Sequence, residues 1–263
     1  MRGRIPTLFQ PHGWSWLAAT GAARGAALAW ERAAAGWADR IVCVSERELD
    51  AGRRAGVAGA LTVVRNGTDV SRFRSLREKT AGSGGPIAVC VGRLTKQKGQ
   101  DRLLAAWSRV RTRHPDATLA LVGDGPDRAA LERHAPPGVS VTGYLDDVTP
   151  YLATADLVVL PSRWEGLSLA MLEALAAGRP VVTTRVAGSE ILTSAAGWVL
   201  SADPGDDAAV TEELESLLDD LLGRPETLVV AGRAAGSLAD AQLDIRVMCD
   251  ELAELTERAA NQR

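Results

Sequence analysis

Short apolar, β-rich runs recur along this chain with helical segments between them. From Pro86 onward the runs are PIAVCVG (86–92), ATLALVG (117–123), VSVTG (139–143), DLVVLPS (156–162), RPVVTT (179–184) and GWVL (197–200). Helical segments lie between most of them, over 98–113, 126–134, 168–177 and 206–222. Near-continuous apolar strands alternating with helices predict a parallel sheet covered on both faces. Upstream, TLFQ (7–10), RIVCVS (40–45) and LTVVRN (61–66) read as three further strands, separated by helices over about 17–38 and 45–54. The fold class is therefore α/β, a Rossmann-like doubly wound parallel sheet with a partial second Rossmann-like domain in front. Beyond 200 the chain is acidic and helical, ending in an amphipathic stretch over about 244–261. The polar, Gly/Ser/Pro-rich segment LREKTAGSGGP marks a boundary near residue 80. The predicted domains are 1–78, a linker over 79–85, a binding domain over 86–240, and a terminal helix over 241–263 that packs back on the first.

Composition narrows the class. With 46% hydrophobic and 24% charged residues in 263, disorder and collagen-like repeats are excluded. No stretch approaches a membrane span, and Pro11, His12 and Gly13 interrupt what a signal peptide would need as its apolar run. Cys43, Cys90 and Cys249 form no CxxC and two lie in apolar strands, which points to a reduced, cytoplasmic protein. Charge is uneven: residues 1–113 hold 20 Lys/Arg against 8 Asp/Glu, and 114–263 hold 10 against 25. A basic half attracts phosphates, anionic lipid or nucleic acid, and charge alone does not choose among them. No aromatic-interleaved basic stripe accompanies it, so nucleic acid is not expected as a partner.

Two constellations carry candidate chemistry. In EGLSLAMLEALAAGRPVVTT, Glu165 lies in the loop at the carboxyl end of a strand, where open α/β sheets bind ligands. Ser168 is placed to cap the helix that follows, and Gly178 to stop it. Free amides of Leu167, Ser168 and Leu169 at the helix start suit a diphosphate. Glu173, eight residues after Glu165, has apolar neighbours around it and so needs a partner; the alternative is two glutamates on a solvated face. In VGRLTKQKGQDRLLAAW the strand ends at Gly92, with Arg93 and Lys98 in the loop. The Walker A spacing is missing. Two cations there would stabilise a departing diphosphate; the alternative is an ordinary basic turn. VTGYLDD is a strand-to-loop junction able to read a base, or a plain turn. No D-x-D pair and no metal-ligand histidine spacing occurs, so no metal is expected. His12, beside Gly13 and two Trp residues, is either catalytic or sugar-contacting, or a packed loop histidine.

With these motifs in order, namely PHGW, ADRIVCVSE, VVRNGTDVSRF, GRLTKQKG, VGDGP, VTGYLDD, the E-x7-E segment and VAGSEIL, the chain resembles the retaining glycosyltransferases of family 4, which have the GT-B fold. The resemblance implies two Rossmann-like domains facing each other across a cleft. The carboxyl-terminal one binds a nucleoside-diphosphate sugar, and the amino-terminal one presents an acceptor glycan, lipid or small molecule. It implies that Arg93 and Lys98 hold the diphosphate, Glu173 the ribose and Glu165 the donor sugar. Backbone from Gly166 through Leu167, Ser168 and Leu169 would contact sugar and phosphate, beside Gly92. Tyr144 and Leu145 would line the base, and His12 would reach the sugar from the opposite domain. The implied reaction is metal-independent hexosyl transfer, with no cofactor. Family members carry a longer segment before the His-Gly motif, whereas His12 lies eleven residues after Met1. That departure implies a truncated gene product, a misassigned start or one subunit of a split enzyme. The alternative function is a donor-binding half that needs a partner chain, or a remnant that only binds nucleotide sugar. A GT-B-like epimerase or phosphorylase is a further class, marked by reaction without an acceptor. The Ala-rich helix with Trp30 and Trp37 suits peripheral membrane contact, or is an ordinary domain helix.

Overall fold

The computed structural model describes residues 5–78 and 84–261. Most of the predicted linker, 79–83, lies outside the described residues, as do 1–4 and 262–263. In the front lobe, β1 (Leu8–Phe9), α1 (Gly21–Ala35), β2 (Arg40–Cys43), α2 (Glu46–Arg54) and β3 (Leu61–Val63) alternate, and α3 (Val70–Arg74) follows. The strands are parallel in the order β1-β2-β3, with Phe9 opposite Ile41 and Val42 opposite Thr62. Trp14, stacked on Trp16 at 4.7 Å, packs with Ile41, Cys43 and Leu49 into the front core.

The back lobe is the doubly wound parallel sheet that the apolar runs predict. It runs β4 (Ile87–Val91), α4 (Gln100–Arg113), β5 (Thr118–Val122), α5 (Arg128–His134), β6 (Val139–Val141), α6 (Thr149–Thr154), β7 (Leu157–Leu160), α7 (Leu169–Ala176), β8 (Val181–Thr183) and β9 (Gly197–Val199). Three helices end the chain: α8 (Asp207–Leu222), α9 (Pro225–Gln242) and α10 (Ile245–Asn261). The spatial order is β6-β5-β4-β7-β8-β9. Side chains alternate across β4: Ala88 and Cys90 enter the core with Trp107 and Leu214 under α4 and α8, whereas Val89 enters a core on the opposite face. On that face, α7 and α9 pack over β7 and β8 through Leu172, Leu175, Ala235 and Leu238. Every residue of β7 and β8 is buried, as a sheet covered on both sides requires.

Three details depart from the sequence reading. The helix expected over 17–38 is split, with a single 3-10 turn at Ser15–Leu17 and α1 starting only at Gly21, which takes a left-handed φ of 55°. The strand expected over 61–66 ends at Val63, with the Val64 amide still bonding the Cys43 carbonyl, and farther on Thr68 bonds Leu243 and Ile245 through its backbone. Those bonds bring the start of α10 onto the front lobe. Ser168 holds the N-cap position of α7, but its side chain makes no capping hydrogen bond. At the other end α7 stops as predicted: Gly178 takes φ 68°, and the amides of Gly178 and Arg179 bond the carbonyls of Leu175 and Ala174 in a Schellman pattern.

Candidate active site

The strand order reverses between β4 and β7, since β4 leads outward to β5 and β6 on one side while β7, β8 and β9 continue on the other. Such a switch point opens a crevice at the carboxyl ends of the two central strands. The loop after β4 brings Arg93 and Lys98 there, and the loop after β7 brings Glu165.

Lys98 sits at the end of a 3-10 turn (Lys96–Lys98), and Gly99 reverses the chain into α4 with φ 69°. A Cβ on Gly99 would run into the Pro161 carbonyl, so the two loops meet backbone to backbone. Arg163 clamps them from outside. Its guanidinium donates to the Lys96 carbonyl at 2.6 Å and pairs with Asp101 and Asp207 at 2.7 and 2.9 Å, and its amide donates to the Gln97 carbonyl. Within that frame Lys98 Nζ lies 2.5 Å from Glu165 Oε1, and Ser162 Oγ donates to the same oxygen at 2.7 Å. Glu165 is buried, and its Oε2 has no partner among the described residues. The carboxylate is thus fixed at one oxygen and free at the other.

Around this pair the groups are uncommitted. Arg93 is exposed, and its guanidinium makes no ion pair or hydrogen bond among the described residues. The amides of Gly166, Leu167, Ser168 and Leu169 are also unbonded there. Glu173, half-buried on α7, has no hydrogen-bond or ion-pair partner among them. Burial pushes its carboxyl above the usual range; Arg72 of α3 pulls it down, and Asp147 pushes it up. Arg72 and Asp147 pair with each other at 2.8 Å, which ties the front lobe to the loop that carries Tyr144.

Tyr144 and Leu145 lie farther along the same rim. The glycines ending three strands are stacked: Gly143 bridges Gly123, and a Cβ on Gly123 would meet the Gly92 carbonyl. Tyr144 is largely exposed and Leu145 packs beside Val89 and Val122. Neither touches Glu165 or Glu173 in any contact described. His12 comes from the other lobe. It is exposed, with φ 51°, and a Cβ on Gly166 would lie 2.9 Å from both the His12 carbonyl carbon and the Gly13 amide. Asn66 Nδ2 donates to the Leu167 carbonyl at 3.3 Å, a second crossing between the lobes.

Sequence reasoning missed Ser162, Asn66, Arg72, Arg163 and Glu48. Glu48 bonds the Gly13 amide from the front lobe. Ser45 and Glu48 have the spacing of a capping box, a signal that finds the helix start but not the loop Glu48 holds. Among the described residues, no three His, Cys, Asp or Glu side chains converge as a metal site. No helix there is long and apolar enough to cross a membrane.

Two parallel, open α/β sheets, each in its own lobe, make a Rossmann-like GT-B fold. The chain belongs to the group 1 glycosyltransferases: the family model "Glycosyl transferases group 1" matches residues 85–220, and "Glycosyltransferase Family 4" matches 1–72. It is 35% identical over 172 residues to a glycogen synthase of Mycobacterium tuberculosis, covering 61% of this chain and 40% of that protein. It is 33% identical over 202 residues to a GDP-mannose-dependent alpha-(1-6)-phosphatidylinositol monomannoside mannosyltransferase of Mycolicibacterium smegmatis, covering 68% and 52%. The chain spans about half the length of the curated relatives it matches, 40% to 54%. In fold it resembles sucrose-phosphate synthase from Thermosynechococcus elongatus, with TM-score 0.82 and 22% identity over all of this chain and 70% of that one. It also resembles the Anabaena protein HepE in complex with UDP and glucose, with TM-score 0.80 and 20% identity over 96% and 71%.

Proposed function

We propose that this chain binds a nucleoside-diphosphate sugar in the crevice and transfers the sugar, with retention of anomeric configuration, to an acceptor hydroxyl. The observation that carries this reading is Glu165, fixed at one oxygen by Lys98 and Ser162 and open at the other, beside the free Arg93 guanidinium and unbonded amides. Arg93, Lys98 and the amides of Gly166 to Leu169 take the diphosphate, whose charge grows as it leaves. Glu165 Oε2 accepts from a sugar hydroxyl, and Glu173 accepts from the ribose. Tyr144 and Leu145 flank the base, and His12 reaches the sugar from the front lobe. The acceptor oxygen forms its bond to the anomeric carbon as the bond to the diphosphate oxygen breaks on the same face. The acceptor proton passes to that leaving oxygen. No step calls on a metal or cofactor, and buried Cys43 and Cys90 favour a reducing, cytoplasmic setting.

A second reading is a donor-binding half completed by another polypeptide. The open edge of β1 among the described residues favours it, as does the exposure of Ile5, Phe9, Trp30 and Trp37. A thermal-shift panel with UDP, GDP, ADP and dTDP and their common sugars tests both. A ligand at 100 times its dissociation constant adds about 2.7 kcal/mol. A shift with one nucleotide, lost in Arg93→Ala, supports donor binding. Sugar transfer by the chain alone then separates the readings, and no shift with any ligand rejects both.

A further inference from the structure

We propose that Glu48 is the positioning residue for His12, its carboxylate holding the His12–Gly13 turn against the Glu165–Gly166 segment. The inference rests on the crevice being a nucleotide-sugar site.

Glu48 is 1% exposed and makes no salt bridge among the described residues, the nearest cationic influence on it being that of His12 itself. Its two oxygens divide between two backbone amides: Oε1 accepts from Gly13 and Oε2 from Val44, the latter at 2.6 Å. In an ordinary capping box the glutamate returns to the N-cap amide. Here Ser45 caps the Glu48 amide at 3.2 Å, but the carboxylate passes Ser45 and spends one oxygen on a loop 35 residues away. The indole of Trp14 fixes the same loop by donating to the Glu48 carbonyl at 2.8 Å.

The loop needs holding. Among the described residues His12 is the one non-glycine with positive φ, a conformation that costs an L-residue stability. It persists where the surroundings over-determine it, and His12–Gly13 is wedged between Glu48 on one side and the Gly166 backbone on the other. A buried carboxylate is a costly holder unless both oxygens are used. A carboxylate accepts at two amides, whereas Gln accepts at one and turns a donor toward the other. That difference supplies the test.

In Glu48→Gln, one of the two amides, Gly13 or Val44, should exchange with solvent at least about tenfold faster, the scale of one lost hydrogen bond, and where it is Gly13 the His12 ring resonances should move. Affinities for UDP and GDP should stay within about twofold, while those for UDP-glucose or GDP-mannose, whichever the parent binds, should fall about tenfold. Equal losses for nucleotide and nucleotide sugar would make Glu48 merely structural and overturn the proposal. So would faster Gly13 exchange with unmoved His12 resonances in a folded variant. If the parent binds none of these ligands, the donor-site reading falls instead, and the Gly13 and His12 signals alone decide the positioning. Should Glu48→Gln not fold, or keep its oxygen on Gly13, Glu48→Leu decides, since it accepts from neither amide: Gly13 exchange should rise about tenfold and the His12 resonances should move. No rise would sink the idea.

Discussion

The two sheets follow the same connection rule yet bury themselves differently. The back sheet has six strands with helices on both faces, and its central strands β7 and β8 are wholly buried. The front sheet has three, one of them two residues long, and leaves Phe9, Trp30 and Trp37 exposed. Part of its burial is borrowed: Val44, Val70 and Phe73 join a back-lobe core with Leu172 and Leu175. A parallel sheet with one face under-covered is stabilised by what it leans on. The back lobe is therefore expected to be the cooperative unit, with Lys98 and Glu165 on it, and the front lobe the dependent one that carries His12.

The sharpest way to break that comparison is to hollow each core. Trp107 is fully buried under α4 and α8, so Trp107→Ala should cost about 3–5 kcal/mol and abolish nucleotide binding with the melt. Trp14→Ala should cost a comparable amount at its own site, but raise hydrogen exchange in β1 to β3 while β4 to β9 stay protected. Exchange rising equally in both sheets would show a single cooperative unit. Arg93→Ala comes next: an exposed, unpaired guanidinium should leave the melting temperature unchanged and weaken nucleotide binding by about 1.5–3 kcal/mol, read by calorimetry.

Glu173→Gln should move stability and binding in opposite directions. Burial raises the folded-state pKa of Glu173, so the folded protein holds the proton more tightly than the unfolded chain. Stability is then lost as pH climbs from the ordinary value of 4.5 through the raised one. The glutamine variant should melt above the parent at neutral pH, the gap should close near about pH 4, and nucleotide affinity should fall. Smallest is the effect of thiol reagents. Burial pushes Cys43 and Cys90 up to about 12, so at neutral pH a label should modify exposed Cys249 alone and leave binding intact. Mass spectrometry of labelled peptides reads this directly.

Much of the fold was legible because strand and helix periods are read over many residues. The six back strands lie inside the apolar runs, each one to three residues shorter than its run. The helices α3 and α6, five and six residues long, escaped because one or two turns show no period. Of the site, Lys98 and Glu165 were visible as charged residues just past strand ends. Their common oxygen with Ser162 was not, since it depends on β4 lying beside β7. Glu48 was hidden for the same reason: its bond to Gly13 exists because β1 pairs with β2.

The ion pairs that join the lobes have a further consequence. Residues 1–78 hold 12 Lys/Arg against 7 Asp/Glu, and 79–263 hold 18 against 26, so the lobes are bodies of opposite sign. Arg47 meets Glu190, Arg72 meets Asp147, and Arg74 and Arg77 share Asp240. Each exposed pair contributes little alone. Their attraction is nonetheless short-ranged, because the Debye length is about 8 Å in physiological salt. Added salt should therefore loosen the polar rim of the contact between the lobes while leaving in place the apolar residues they share, Val44, Val70 and Phe73 against Leu172 and Leu175.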